Sequence, residues 1–179
     1  VILALLTANS KLLIKNVNCN KTRMGFINIL KKMNANIKII NLKKKAGEFM
    51  GNLVIRSSSL KSIRCPKTLV PSAIDEFPLL FITASLVKGV SKFDGIGELR
   101  HKESDRIKSI ELGLNQLGIK TKSTMNSLTI FGNPNIRINK TLIISPENDH
   151  RIAIAFFCLG QLLSGKVRIN NFQTVNTSF

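Results

Sequence analysis

A dense group of charged residues occupies positions 99–107, which read LRHKESDRI. Lys102 and Glu103 are adjacent in this group, and Arg106 follows just before an apolar periodic segment. A lysine beside a carboxylate can act as an acid and a base in an anion site, because each group shifts the pKa of the other. A solvated surface turn is the simpler alternative. The residue types therefore predict either such a turn or a site that binds and protonates an anionic substrate.

Charged residues recur wherever the sequence predicts the beginning of a helix. The residues at the predicted starts are, in chain order, Thr22 and Arg23; Asp75 and Glu76; Glu103, Asp105 and Arg106; and Asp149, His150 and Arg151. Each carboxylate taken alone is well explained as a cap that complements the helix dipole. A cation gains nothing from the dipole at that end, so Arg23, Arg106 and Arg151 are more informative. If the helix starts converge, these arginines would form a clamp for phosphate and carboxylate groups.

Helical periodicity is clear in four segments that would position these residues. TRMGFINILKKMN directs Met24, Ile27 and Leu30 to a core, with Ile29 and Met33 beside them. IDEFPLLFITASLVKG is apolar nearly all round, which predicts a deeply buried helix with its proline in the first turn. ESDRIKSIELGLNQLG carries an apolar stripe and a glycine stop signal, and DHRIAIAFFCLGQLLSG is again mostly apolar.

The segments between the helices predict short strands and an internal repeat. The strands are KLLIKNV, NIKIINL, GNLVIRSS, VSKFDGI, SLTIFG, KTLIIS and KVRINNF. A helix end, a small-residue turn and a strand recur at intervals of roughly 75 to 80 residues. This order predicts an α/β (α+β) fold in which a β-α-β-β-β-α unit is used about twice and a third copy begins. Apolar helices among these strands suggest helices packed within a ring of sheets.

The composition favours anionic partners but does not choose one. The formal net charge is +17, from 27 Lys and Arg against 10 Asp and Glu. Nucleic acid, acidic lipid and phosphorylated metabolites all fit this charge. The chain is also rich in Asn and Ile, so an A+T-rich genome could explain much of the excess lysine. The basic residues are scattered, and no aromatic-studded strand accompanies them, which makes nucleic acid the less favoured partner.

The remaining features favour a cytoplasmic protein without a metal. The three cysteines are far apart in the sequence, and the two histidines are not spaced as a metal pair. The apolar start VILALL is too short to span a membrane. Because this start resembles the end of a helix and lacks an initiator methionine, we expect the chain to be part of a longer protein.

Several motifs together resemble the 5-enolpyruvylshikimate-3-phosphate synthases. They are PSAIDEFPLL, GIGELRHKESDRI, DHRIAIAF and the closing VNTSF, with NKTRMGF and LVIRSSSLK extending the similarity over essentially the whole chain. The resemblance implies one globe of repeated β-α-β-α-β-β units around buried parallel helices, an inside-out α/β barrel. Residues 1–179 would form most of the phosphoenolpyruvate-side globe, and the other globe would be absent. The reaction implied is transfer of the enolpyruvyl group from phosphoenolpyruvate to the 5-hydroxyl of shikimate 3-phosphate, with release of phosphate.

The resemblance also assigns roles to residues of this sequence. Asp75 would contact the shikimate hydroxyl as the base, Lys102 would contact both substrates and transfer protons, and Glu103 would be its acid–base partner at the methylene carbon. The residues implied to hold phosphoenolpyruvate are Lys102, Arg106, Arg151 and His150. No metal or organic cofactor is implied. The complete protein is expected to be a cytoplasmic monomer with no membrane segment.

Departures from the family leave alternatives open. Thr177 stands where many members have a lysine, and nearly all the first half of the family is absent, so we expect this chain to be inactive alone. The alternatives are another enolpyruvyl transferase of the same fold, a non-catalytic basic module that binds nucleic acid, and a degenerate paralogue without turnover.

Overall fold

The computed structural model describes residues 1–137, 140–163 and 166–177. The helices in these residues are α1 (Ile2–Leu6), α2 (Gly25–Lys32), α3 (Phe77–Ser85), α4 (Arg106–Gln116) and α5 (His150–Leu162). The strands are β1 (Lys11–Asn18), β2 (Asn36–Lys45), β3 (Glu48–Arg56), β4 (Gly89–Asp94), β5 (Thr121–Thr124), β6 (Ser127–Gly132), β7 (Leu142–Ile144) and β8 (Val167–Ile169). None of the described helices is both long and apolar enough to cross a membrane.

The strands pair in sheets of related topology. One sheet has the order β1-β3-β2 and another the order β4-β6-β5, and the neighbouring strands in both are antiparallel. β7 and β8 pair in parallel, with Leu142 opposite Val167. In the second sheet Phe93 of β4 lies opposite Leu128 of β6, and both side chains are fully buried. The register therefore turns the apolar positions of the alternating strands toward the core.

The repeat in the sequence corresponds to a repeat in the structure. Arg64 forms a parallel bridge with Lys92 of β4, just as β7 lies parallel to β8. Residues 63–65, α3, β4, α4, β5 and β6 therefore make one β-α-β-α-β-β unit, and equivalent elements precede and follow it. This confirms the predicted α/β class and the repeat. The strand β5 was not predicted, because its sequence TKST has no apolar residue to alternate with the polar ones.

The helix α3 lies at the centre of the core, as its apolar composition predicts. All of its side chains except Leu79 are buried. The rings of Phe77 and Phe81 meet Phe93 edge-on, with centroid distances of 5.9 and 5.0 Å. Pro78 lies in the first turn, where the missing N–H removes no helical hydrogen bond. Because α3 is buried, its N-terminal end has a fixed position, and so do Asp75 and Glu76 just before it.

The helices α4 and α5 run in the same direction and lie very close together. Arg106 at the beginning of α4 bonds Asp149 at the beginning of α5. Seven residues further along each helix, a Cβ on Gly113 would lie 2.1 Å from Cζ of Phe156. Both contacts join residues at the same distance from the helix starts, so the two helices are parallel. They also show why position 113 has no side chain, since the phenyl ring occupies that space.

Helix boundaries differ from the predicted ones at three starts. Asp75 and Glu76 lie in the 3-10 turn Pro71–Glu76, and α3 begins only at Phe77. Thr22 and Arg23 form a 3-10 turn, Lys21–Arg23, because the Asn20 side chain accepts a hydrogen bond from the Thr22 backbone N–H and caps that turn. Glu103 precedes α4 and is not part of it, because Asp105 caps the helix by accepting from Lys108 N at 2.9 Å. The predicted end of the fourth helix at position 165 and the side chain of Thr177 lie outside the described part of the chain.

Candidate active site

The N-terminal ends of α3, α4 and α5 meet around the carboxylate of Asp75. This residue lies in the 3-10 turn Pro71–Glu76 that leads into α3. Its carboxylate oxygens lie 3.3 Å from Arg151 Nη2, 3.6 Å from Arg106 Nη1 and 4.0 Å from Lys102 Nζ. Its backbone carbonyl accepts a hydrogen bond from Arg151 Nη1 at 3.1 Å. The structure thus brings together the cations that stand at the predicted helix starts.

Arg106 is the most deeply buried charged residue of this cluster after Asp149, with 1% of its side chain exposed. Its Nε donates to Asp149 Oδ2 at 2.7 Å, and its Nη2 contacts Glu103. Its Nη1 has no hydrogen-bond partner among the described residues, although Asp75 is within ion-pair distance. A buried guanidinium needs paired charge, which Asp149 supplies from a fully buried position. One donor of this arginine therefore remains available for an anion.

Asp149 holds the beginnings of two helices together. Its Oδ1 accepts hydrogen bonds from the backbone N–H groups of Arg151 and Ile152, at 2.9 and 3.3 Å, and so caps α5. Its Oδ2 accepts from Arg106 and from the hydroxyl of Ser104 at 3.1 Å. The carboxylate therefore fixes the guanidinium of α4 against the first turn of α5.

Lys102 and Glu103 are adjacent in the sequence but contact different partners. Lys102 ends the 3-10 turn Gly97–His101 and forms ion pairs with Glu98 and Asp75. Glu103 turns toward α4 and contacts Arg106. The acid–base roles predicted for the two residues would thus act from opposite flanks of the cluster, with Asp75 between them.

Arg151 and Glu76 form the flank beside α5. Arg151 Nη1 lies 3.7 Å from Glu76 Oε1. Burial raises the pKa of the Glu76 carboxyl above its ordinary value of 4.5, and the Arg151 guanidinium opposes that rise. The neighbouring charge of Asp75 adds to it, whereas Arg23 lowers the pKa slightly. His150 is half-buried at the first position of α5, next to Arg151 in the chain, and its role stays a prediction.

A cavity of about 290 Å³ opens beside Asp75 and Glu76. Ser72 of the same turn also lines it, as do Thr22 and Arg23, because the turn Lys21–Arg23 packs near the turn Pro71–Glu76. Gly25 allows this packing, since a Cβ there would lie 2.3 Å from Ser72 Oγ. The arginine of the first helix start is therefore also close to the cluster, in a turn and not in a helix.

Sequence reasoning missed two acidic contacts of the cluster. Glu98 stands four residues before Lys102, and this spacing is the signal that could have indicated their ion pair. The cap position of Asp149 was evident, but its contact with Arg106 spans 43 residues and has no local signature. No group of three His, Cys, Asp or Glu side chains in the described part of the chain could hold a metal ion.

Comparison with known proteins identifies similar chains. The sequence profile described as EPSP synthase (3-phosphoshikimate 1-carboxyvinyltransferase) matches residues 1–179. The chain is 43% identical over 179 residues to a 3-phosphoshikimate 1-carboxyvinyltransferase of Petrotoga mobilis and 40% identical over 176 residues to that of Clostridium tetani. These matches cover 100% and 98% of this chain, but 41% and 40% of the relatives. The chain thus spans about two fifths of the length of these relatives.

Solved structures give the same result. An EPSP synthase from Acinetobacter baumannii superimposes with a TM-score of 0.91 and 37% identity, over 99% of this chain and 41% of that one. An enolpyruvyl transferase from Streptomyces tendae superimposes with a TM-score of 0.70 at 13% identity, over 99% of this chain and 38% of that one. The second likeness supports the fold alone.

Proposed function

This chain belongs to the EPSP synthase family, and we propose that it forms the phosphoenolpyruvate-side part of a 3-phosphoshikimate 1-carboxyvinyltransferase. The reaction would transfer the enolpyruvyl group of phosphoenolpyruvate to the 5-hydroxyl of shikimate 3-phosphate and release phosphate. Because the chain spans about two fifths of its relatives, the rest of the site would come from the remainder of a complete enzyme. The chain alone would then be inactive.

The observation that carries the proposal is the cluster of cations at the joined helix starts. Lys102, Arg106 and Arg151 surround one carboxylate, and the buried Nη1 of Arg106 has no hydrogen-bond partner among the described residues. Phosphoenolpyruvate carries a carboxylate and a phosphate, and guanidinium groups bind both in bidentate geometry. The charge and the donor geometry therefore support a doubly anionic substrate of this kind.

We propose the substrate contacts that the resemblance to the family implies. Arg106 and Arg151 would hold the carboxylate and phosphate of phosphoenolpyruvate, with His150 and Lys102 beside them. Asp75 and Lys102 would contact shikimate 3-phosphate. Asp75 would accept the proton of the 5-hydroxyl while the hydroxyl oxygen attacks C2 of phosphoenolpyruvate. The half-exposed carboxylates of the cluster would give way to substrate anions.

We assign the proton transfers to Lys102 and Glu103, which lie on the two flanks of the cluster. In the addition step Lys102 or Glu103 would give a proton to the methylene carbon, which becomes a methyl group, while the hydroxyl oxygen bonds to C2. In the elimination step the residue that gave this proton would remove a proton from the methyl group as the C–O bond to phosphate breaks. These steps need donors fixed around a charged intermediate, for which a preorganised cluster is suited.

The setting of the complete protein belongs to the same proposal. We assign it to the cytoplasm and expect it to act as a monomer without a metal or organic cofactor. The scattered cysteines and the small charged substrates support this setting. Light scattering of the complete enzyme would test the oligomeric state.

The experiment replaces the matching segment of the Petrotoga mobilis relative with residues 1–179 and measures phosphate release from phosphoenolpyruvate. We expect release that requires shikimate 3-phosphate and that falls by about 100-fold or more in Lys102→Ala. Lys108→Ala is the matched control, since this lysine is exposed on α4 and is not a member of the cluster. A folded hybrid that releases no phosphate, beside an active parent enzyme, would contradict the proposal. Salt-dependent binding of nucleic acid by that hybrid would then favour the basic-module alternative.

A further inference from the structure

Arg100 lies outside the cluster around Asp75 but is almost as firmly bonded as Arg106. Only 14% of its side chain is exposed. Its Nη1 donates to Asp105 Oδ2 at 2.8 Å, and its Nη2 donates to the carbonyl of Thr124 at 2.7 Å and to Ser123 Oγ at 3.3 Å. Its Nε is buried without a hydrogen-bond partner in the described part of the chain. The side chain is thus held by its outer nitrogens at a fixed place.

These bonds close a loop around the residues proposed to transfer protons. Arg100 precedes Lys102 and Glu103, and Asp105 follows them, so the ion pair joins the two ends of the segment. The other carboxylate oxygen of Asp105 accepts from Lys108 N and caps α4. The beginning of α4 and the beginning of the loop are therefore tied to one carboxylate.

The same arginine ties the loop to the β5–β6 hairpin. Thr124, whose carbonyl accepts from Arg100, is the last residue of β5. In the turn that follows, Asn126 accepts hydrogen bonds from the backbone N–H groups of Gly95 and Gly97, at 2.9 and 2.8 Å. The hairpin therefore contacts the turn Gly97–His101 at its beginning, through Asn126, and near its end, through Arg100.

Residues 102–105 belong to no helix or strand, and Lys102 itself is extended. We propose that Arg100 is a positioning residue that fixes this segment between α4 and the β5–β6 hairpin, and so places Lys102 and Glu103 at the cluster. The inference that this placement serves proton transfer rests on the proposed function. The placement itself rests on the contacts of Arg100 alone.

The test uses residues 1–179 and two substitutions that remove the same contact. Arg100→Met removes the guanidinium, and Asp105→Asn removes the charge while an asparagine oxygen can still cap α4. We measure the rate of acylation of Lys102 by acetic anhydride, with exposed Lys43 as reference. We also measure backbone hydrogen exchange of Gly97 and Ser109, whose N–H groups donate to Asn126 and to the Asp105 carbonyl on the two sides of the segment. We expect exchange to be about ten-fold faster and acylation about three-fold faster in both variants, since the segment opens without global unfolding.

The controls separate positioning from general destabilisation. Arg56→Met removes an exposed arginine at the end of β3 and should change neither rate. Amides of β4 and β6 should keep their protection in Asp105→Asn, which remains the informative variant if Arg100→Met does not fold. Acylation of Lys102 and exchange of Gly97 and Ser109 within about two-fold of the unsubstituted chain would overturn the proposal.

Activity of the hybrid enzyme gives a further readout. There, Arg100→Met should lower kcat more than it raises KM for phosphoenolpyruvate, because the proton donors move while the arginines remain. Arg100→Lys, which can keep one of the bonds, should recover part of kcat. If the hybrid is inactive for other reasons, the exchange and acylation rates still decide the proposal.

Discussion

The contact between Arg106 and Asp149 gives a prediction whose magnitude follows from the structure. Asp149 uses Oδ2 for Arg106 Nε and Ser104, and it uses Oδ1 for the N–H groups at the beginning of α5 and, at 3.4 Å, for Arg106 Nη2. In Asp149→Asn a single neutral oxygen remains. At the Oδ1 position it keeps the cap but offers Arg106 only the long contact with Nη2, and at the Oδ2 position it loses the cap. The amide nitrogen then faces donors on the other side. The substitution therefore leaves either a buried cation without its charged partner and its short hydrogen bond, or a helix start without its acceptor.

The magnitude follows from the burial of both partners. Arg106 and Asp149 are 1% and 0% exposed, and loss of one partner of a buried ion pair costs about 3 to 5 kcal/mol. Glu103 and Asp75 also face the guanidinium, so we expect the lower end, about 3 kcal/mol. For a chain of this size the midpoint of thermal unfolding would fall by about 6 to 12 °C.

The assay is urea unfolding followed by far-ultraviolet circular dichroism, because the chain has no Trp and no Tyr for fluorescence. Arg106→Met is the matched background. There Asp149 is a buried carboxylate without its cation, and the amide oxygen of Asp149→Asn can still cap α5. In that background Asp149→Asn should therefore not lower the free energy of unfolding. A loss below about 1 kcal/mol in the natural background would refute the dependence of Arg106 on the charge of Asp149.

Other predictions concern packing, pH and thiol reactivity. Gly113→Ala should destabilise the chain by about 1 to 3 kcal/mol, because its Cβ would overlap Phe156; Gly113→Ala with Phe156→Leu should recover part of this loss in urea unfolding. The raised pKa of Glu76 means that the folded chain binds more protons than the unfolded chain from pH 4.5 upward to that raised pKa, so stability should fall as pH rises through this window. Glu76→Gln should remove this fall, and an unchanged pH profile would contradict the assignment. Burial raises the pKa of the Cys65 thiol to about 11, so iodoacetamide at about pH 8 should label Cys65 much more slowly in the folded chain than in urea, and equal rates would refute its burial.

The sequence predicted those parts of the fold that depend on local pattern. The apolar stripe with Met24, Ile27 and Leu30 is buried as expected, and so is the nearly all-apolar α3. The missed strand β5 is polar along its length and is defined by its pairing with β6, which its own residues do not encode. Local periodicity therefore predicts the elements that form the core, whereas a strand at the edge of a sheet depends on its neighbour.

For the candidate site, the sequence predicted the residues that come together but not all of their ion pairs. The residue types at the helix starts indicated an anion site, and the structure brings Asp75, Lys102, Arg106 and Arg151 together. What the spacing could not give is which carboxylate neutralises which cation. The pairs of Arg106 with Asp149 and of Arg151 with Asp75 depend on how the helix starts meet, and they join residues more than 40 positions apart in the chain.

The pairing explains why arginines stand at helix starts, where the dipole disfavours them. Carboxylates at these starts serve neighbouring helices, since Asp149 of α5 binds Arg106 of α4 and Asp75 before α3 binds Arg151 of α5. These carboxylates differ in exposure, because Asp149 is fully buried whereas the side chains of Asp75 and Glu103 are 45% and 51% exposed. A buried partner is costly to displace, but a half-exposed one regains water when it leaves. An incoming anion can therefore replace Asp75 and Glu103 at the guanidinium groups while Asp149 keeps Arg106 in place.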